Sequence, residues 1–539
     1  MRSTPRLGPA VREALSDGAA LARAIPGFVV RPAQQRLAVA VAEAFEQRDV
    51  LLAEAGTGTG KTFAYLVPAL LSGMKTIVST GTRALQDQLY LRDLPRVRDA
   101  LGTGLRTALL KGRANYLCRY RLEQAKGEGP AARGVFSSRE QASQFQRVVA
   151  WSGRTQMGDL AELDALPEDS PLLAQVSSTA DNCLGTECPF WGDCFVVQAR
   201  QRAQTADLVV VNHHLLLADL ALKQEGFGEI LPGAQAFVVD EAHQLPELAA
   251  QFFGEGLGAR PLVELARDAL SECREVPGAL ATLQEPTRML EQAARALRAG
   301  MDSLPQRGTA WRALDVAGIE PAFQAQAEAL HGLREALQPL REAAPGLDAC
   351  HLRANDQLGR LRRWLGDDTG AGSQSANAAR EADADGSENE ADPVSVHWYE
   401  LTPRGFRLQR TPLDVSGPLR RHREESRAAW VFTSATLAVS GHFAHIAQRL
   451  GIDRAAELIE PSPFDWDRQA LCYLPPLLPE PASRDYGPAL AGALRPVLEA
   501  SGGRAFLLGR ERLFSMPTGP MKHLAAAARE LPSLSTSSP

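Results

Sequence analysis

The chain has 539 residues, 45% of them hydrophobic and 23% charged, and 58 Lys and Arg against 64 Asp and Glu leave a formal net charge of −6. That length allows several domains with real cores, and no run approaches the ~20 apolar residues of a membrane span. Three arginines in Met1–Asp17 have no apolar segment behind them, so no signal peptide is read there. Seven cysteines, an odd number over so long a chain, argue against a secreted disulfide framework, and the reducing cytoplasm is the expected compartment.

The negative balance is not evenly spread. Asp367 to Asp392 holds eight acids against Arg380, a net −7, and the remainder of the chain is about +1. That remainder is neutral rather than hostile to DNA.

In chain order, Phe28–Arg31 is expected to be extended because Pro32 disfavours helix before it, and Gln34–Arg48 reads as a helix. Gln34 lies in a polar cluster upstream of a phosphate loop, where a glutamine could read an adenine edge; a surface turn is the plainer reading. Val50–Ala53 reads as a buried strand, then come Gly56, Gly58 and Gly60, and Phe63–Leu71 reads as an apolar helix. Strand, glycine-rich loop and helix is the context a phosphate-binding loop requires. The glycines let successive N–H groups turn toward one anion, and the helix N-terminus adds partial positive charge. Lys61 would reach the β- and γ-phosphates of ATP and the Thr62 hydroxyl would ligate Mg²⁺. Ala55 stands where the G-x-x-x-x-G-K-T pattern has its first glycine.

Thr76–Ser79 reads as a second strand running into Gly81–Leu89, a polar loop entering a helix. Such a loop could hold a phosphodiester backbone, or be an ordinary connection. Between 108 and 204 the character changes: Cys118, Cys183, Cys188 and Cys194 are spaced C-x64-C-x4-C-x5-C. Four thiolates from a helix end and a loop suit a [4Fe–4S] cluster or a structural zinc. The wide gaps favour iron–sulfur, and unrelated buried cysteines are the bland alternative.

The α/β pattern returns with strands Leu208–Asn212 and Ala236–Asp240. Asp240 ends a buried strand downstream of a phosphate loop, where the Mg²⁺ partner belongs. Glu241 beside it could orient or deprotonate the attacking water, and His243 completes Asp-Glu-Ala-His. Leucine spacings such as 330, 333, 337 and 340 predict an all-helical insertion from about 258 to 366. Residues 367–393 read as a flexible acidic loop. Strand signals resume at Val394–Tyr399 and Phe406–Gln409, then at Ala429–Leu437, which ends in Ser434-Ala435-Thr436. One more apolar strand is expected at Arg504–Leu508.

Taken in this order, the motifs resemble the superfamily-two DNA helicases of the iron–sulfur XPD/DinG type, and within it the bacterial YoaA-like branch. The resemblance implies an α/β fold: a RecA-like parallel-sheet motor domain interrupted by an iron–sulfur domain and a helical arch. The implied parts are motor domain one at 1–107, 205–257 and 394–440, the iron–sulfur domain at 108–204 and the arch with its acidic loop at 258–393. Residues 441–539 are expected to hold an incomplete start of the second motor domain. By resemblance Gln34 reads adenine, Lys61 and Thr62 form the first phosphate motif, in which alanine at position 55 is usual, and Asp240, Glu241 and His243 form the second. Ser434-Ala435-Thr436 matches the motif coupling hydrolysis to strand movement, and Cys118, Cys183, Cys188 and Cys194 match the cluster ligands. An ATP-dependent helicase with 5′-to-3′ polarity is implied, acting in repair or replication on single-stranded or forked DNA with protein partners and no membrane. The family's Q-x-x-G-R-x-x-R string is not found after Leu508. The alternative is therefore a non-motor module that binds ATP and DNA and unwinds little.

Overall fold

The computed structural model describes residues 6–127, 139–163, 166–167, 170–224, 230–366, 395–475, 477–481 and 483–501. The acidic loop 367–393 and the expected strand Arg504–Leu508 lie outside the described residues. Two compact units are distinguished, Met1–Pro463 and Phe464–Pro539.

The first unit is built on strands β1 (Val50–Ala55), β2 (Thr76–Thr80), β3 (Thr107–Leu109), β4 (Leu208–Asn212), β5 (Ala236–Asp240), β10 (Ala429–Ser434) and β11 (Ala456–Glu460). They form one sheet in the order β11-β1-β10-β5-β2-β4-β3, and every pairing in it is parallel. Strands covered on both faces read as continuous apolar runs, and Val-Leu-Leu-Ala, Leu-Val-Val-Val and Ala-Phe-Val-Val are such runs. Alternation then divides them. Leu52, Ile77, Val209, Val211, Phe237, Val239, Trp430 and Phe432 belong to the core on one face. Leu51, Ala53, Val78, Leu208, Val210, Val238 and Val431 belong to the other, beneath helices Pro32–Gln47 and Lys61–Ser72. On the first face Phe237 and Trp430 stack at 4.1 Å between ring centroids, 8° from parallel.

A second sheet departs from the expected all-helical insertion. β6 (Glu255–Gly258), β7 (Arg307–Thr309), β8 (Ser395–Thr402) and β9 (Gly405–Pro412) make an antiparallel sheet in the order β6-β9-β8-β7. Tyr399, Leu401, Phe406 and Leu408 are buried in the same core as the long helices Ala259–Glu272, Ala279–Gly300, Glu320–Leu337 and Pro345–Leu365. The hairpin expected to belong to the motor domain thus packs with the insertion, because its apolar alternation faces that helical core.

A further difference lies at the other edge. The resemblance assigns 441–539 to the next domain, yet β11 pairs with β1 and the first unit runs to Pro463. Ala456, Glu457 and Ile459 are exposed and only Leu458 packs on the core, so the strand's apolar signal is too short to mark it. In the second unit, helix Tyr486–Ala500 has only Gly487 buried among its residues, and Leu471, Leu474 and Leu477 are exposed. Among the described residues no helix is long and apolar enough to cross a membrane.

Candidate nucleotide site

In an open parallel sheet, ligands gather beyond the carboxyl ends of the strands. Here β1, β10 and β5 are neighbours, with Glu54 opposite Ser434 and Thr433 opposite Asp240. Three chemically loaded loops, at 55–62, 240–243 and 434–438, therefore leave the sheet side by side.

The first is the glycine-rich loop. Gly58 and Gly60 have φ of 91° and 83°, a left-handed backbone that side chains disfavour. Gly56 is required by close approach instead: a Cβ there would lie 2.5 Å from the Ser462 main-chain nitrogen. The Gly56 N–H donates to the Glu460 carbonyl at 2.9 Å, and the Ser462 hydroxyl donates to the Thr57 carbonyl at 2.7 Å, so the chain after β11 braces the loop. Glu460 is buried and takes both Nε and Nη2 of Arg36 at 2.6 Å. Lys61, at the start of the helix, donates from Nζ to the Ala55 carbonyl at 3.2 Å. Gln34 is 2% exposed and its amide donates to the Gly60 carbonyl at 2.9 Å. It lies directly on the loop, while its Oε1 is buried with no partner in the protein.

Asp240 ends β5 with one oxygen accepting from each side: Oδ2 from the Tyr65 hydroxyl at 3.0 Å and Oδ1 from the Glu241 N–H at 3.0 Å. Burial first, then the Glu241 charge, pushes the Asp240 carboxyl up to about 6, against Tyr65 and Lys61 which favour its anion. Tyr65 is itself held protonated well above its usual range, by burial and then by Asp240, with a contact from Thr62 opposing. Thr62, Tyr65, Asp240 and Lys61 thus share one spot, where Asp240 lies between the Glu241 charge and a single lysine. Such a balance suits a divalent cation. Glu241 has φ of 56°, a costly backbone for a side-chain-bearing residue. The strained turn carries His243 back to Ser434, whose Oγ is 2.7 Å from His243 Nδ1 and donates to Glu241 Oε2 at 3.2 Å.

Tyr65 and His213, which carry no sequence motif, join the site, and Glu54 lies beside it. Tyr65 is concealed in the sequence as an ordinary apolar helix position. Glu54 accepts the N–H groups of both Leu437 and Ala438 on Oε2, at 2.6 and 2.7 Å. His213, fully buried, has Nδ1 2.7 Å from Ser79 Oγ, and burial pushes its pKa down to about 4.

The four cysteines of 108–204 are free and half-buried. Cys118 immediately precedes helix Arg119–Gly127 and Cys194 is the residue before helix Phe195–Thr205. Burial first, and then Cys188, Cys183 and Cys194 together, raise the Cys118 thiol pKa, and Cys188 is raised by burial and then by Cys183 and Cys194. The four are within electrostatic reach of one another. Among the described residues no three His, Cys, Asp or Glu side chains are gathered as tightly as one metal ion would require.

Residues 31–124 match the DEAD/DEAH box helicase family. Over 491 residues the chain is 41% identical to the ATP-dependent DNA helicase YoaA of Escherichia coli K12, covering 90% of this chain and 72% of that protein. This chain belongs to the YoaA family of ATP-dependent DNA helicases. The Haemophilus influenzae YoaA helicase is 40% identical over 494 residues, with the same shares covered. A solved XPD helicase is similar over 80% of this chain and 62% of its own, at 14% identity and a TM-score of 0.42. Membership in the family makes the chain an ATP-dependent helicase enzyme by descent, with the nucleotide loop inside the matched region.

Proposed function

We propose that Lys61, Thr62, Asp240, Glu241 and His243 bind and hydrolyse Mg–ATP to drive movement along single-stranded or forked DNA. The observation that carries this reading is the convergence of the three loops at the ends of β1, β10 and β5, joined by the Ser434 contacts to His243 and Glu241. In it the Gly56–Gly60 main chain cradles the phosphates, and Lys61 exchanges the Ala55 carbonyl for the β- and γ-phosphates. Thr62 and Asp240 would hold Mg²⁺, which when bound supplies charge neutralisation across the phosphates. Glu241 orients and takes a proton from the attacking water, while His243 and Ser434 fix its carboxylate. Gln34, braced on Gly60, faces the nucleotide as the adenine reader the resemblance implies.

We further propose that Cys118, Cys183, Cys188 and Cys194 hold a [4Fe–4S] cluster. Zinc sites usually draw their cysteines from tight sequence pairs, and the wide C-x64-C-x4-C-x5-C spacing of these half-buried thiols supports the larger group. When bound, it would cross-link segments 118 and 183–194 and supply one-electron capacity. The 5′-to-3′ polarity, the repair or replication setting and the partition into motor, iron–sulfur and arch domains rest on the resemblance, and the cytoplasmic location on the cysteine usage.

Equilibrium binding of a fluorescent ATP analogue tests the nucleotide site. Lys61→Ala should weaken it sharply, whereas Glu241→Gln should bind normally and lose turnover, because it keeps shape and removes a base. Equal affinity in wild type and Lys61→Ala would refute the assignment.

A further inference from the structure

We propose that Glu54 is a positioning residue that links the filling of the phosphate loop to the loop carrying Ser434-Ala435-Thr436, and so to DNA affinity. The inference rests on the nucleotide-site reading above. Glu54 is the penultimate residue of β1 and the cross-strand partner of Ser434 on β10. Its side chain crosses to the neighbouring loop, where a single oxygen, Oε2, accepts the Leu437 and Ala438 N–H groups at 2.6 and 2.7 Å. These are the first two amides beyond Thr436. The near end of the same loop is tied separately, the Thr436 N–H donating to Ser434 Oγ at 3.3 Å. That hydroxyl in turn meets His243 and Glu241.

The loop is therefore held at one end by the hydrolytic residues and at the other by Glu54. On the nucleotide side, one peptide bond separates Glu54 from Ala55, whose carbonyl takes Lys61 Nζ. When Lys61 leaves that carbonyl for phosphate, the Ala55–Gly56 peptide keeps only the Gly56 N–H bond to the Glu460 carbonyl, and the strand end that carries Glu54 is the segment left to adjust. The amide pair that Glu54 grips lies in the loop that follows β10, so the displacement passes from β1 to that loop. A carboxylate suits this role because one charged oxygen takes two N–H donors at short range. Glutamine offers one neutral oxygen at the same reach, and alanine offers none.

The test is a thermodynamic cycle with purified full-length chain, a non-hydrolysable Mg–ATP analogue and an oligothymidylate single strand. Affinity for each is measured with and without the other, which isolates the coupling factor. Wild type should show coupling on the order of 5–150-fold, the usual range for linked sites. Glu54→Ala should bring the factor close to one with little change in analogue affinity when DNA is absent. Glu54→Gln should retain the greater part of the coupling, which a defect of folding alone would not restore. Wild-type coupling in Glu54→Ala overturns the proposal. So does parallel loss of analogue affinity, coupling and thermal stability in both variants, since Glu54 would then merely hold the sheet together. A wild-type chain that does not bind the analogue instead overturns the nucleotide-site reading beneath it.

Discussion

Asp268 is a buried acceptor outside the nucleotide site that ties two arginines together. It lies on helix Ala259–Glu272 of the insertion, and its Oδ1 accepts from Arg121 Nη1 at 2.6 Å while Oδ2 accepts from Arg353 Nη1 at 2.7 Å. The side chains are 9% exposed for Asp268, 16% for Arg121 and 10% for Arg353. Burial alone would lower the Arg121 pKa, and the Asp268 carboxylate raises it back beyond the ordinary value. Asp268→Ala leaves two nearly buried guanidiniums without this anion. Removing one partner of a buried pair costs about 3–5 kcal/mol, and two hydrogen bonds to charged groups, at about 1.5–3 kcal/mol each, give a similar figure. The loss falls on helix Arg119–Gly127, which follows Cys118 and is otherwise held on the insertion by Tyr120 and Gln124 donating to Glu272 at 2.5 and 2.6 Å. Amide hydrogen exchange across 119–127 reads that local opening directly. Protection there should fall by about 10²-fold or more in Asp268→Ala, since each 1.36 kcal/mol is a factor of ten. Asp268→Asn, which keeps one acceptor and the shape, should fall between. A change below about tenfold, equivalent to less than 1.4 kcal/mol, would refute the assignment of this carboxylate as the anchor.

Three further outcomes are expected. Anaerobically purified protein should be brown with about four iron and four sulfide per chain, and serine at Cys118, Cys183, Cys188 or Cys194 should bleach it; stoichiometric zinc without iron would exclude the cluster. Tyr65→Phe removes the hydroxyl donated to Asp240, so turnover should require several-fold more Mg²⁺ at unchanged fold by circular dichroism, and an unaltered Mg²⁺ titration would show that the hydroxyl does not orient that carboxylate. His422, buried edge-on to Phe237 and Trp430, has its pKa pushed down to about 4 by burial and then by Lys223. Its folded pKa lies below the unfolded ~6.5, so its neutral form stabilises the protein fully above pH ~6.5, and that contribution is lost as pH falls toward 4. Between pH 7.5 and 5 wild type should lose about 2 kcal/mol more than His422→Gln by urea denaturation; identical losses would place the pH sensitivity elsewhere.

Features that depend on neighbours along the chain are readable in the residues alone. Glycines at 58 and 60 meet left-handed backbone, Lys61 starts a helix directly after them, and apolar runs at Leu208–Asn212 and Ala236–Asp240 form strands with those bounds. Strand ends followed by Gly-Lys-Thr, Asp-Glu-Ala-His and Ser-Ala-Thr are legible because their chemistry lies in the residue types. Whether those three ends meet depends on strand order. Only the insertion of β10 between β1 and β5 sets Ser434 against His243 and Glu241, which lie some 190 residues earlier. The path of the folded chain also sets where polar side chains are spent. Glu54 is one more residue of a strand until its partners, 383 and 384 residues away, are brought beside it. Asp268 and Arg121 sit on separate helices with no shared pattern and meet 147 residues apart. β11 leaves no mark in the sequence because an edge strand buries little and needs no apolar code, and the β8–β9 hairpin joins the insertion because packing against a helical core is a choice among partners. Periodicity tells which face of an element is apolar; the chain's path through space selects what covers it.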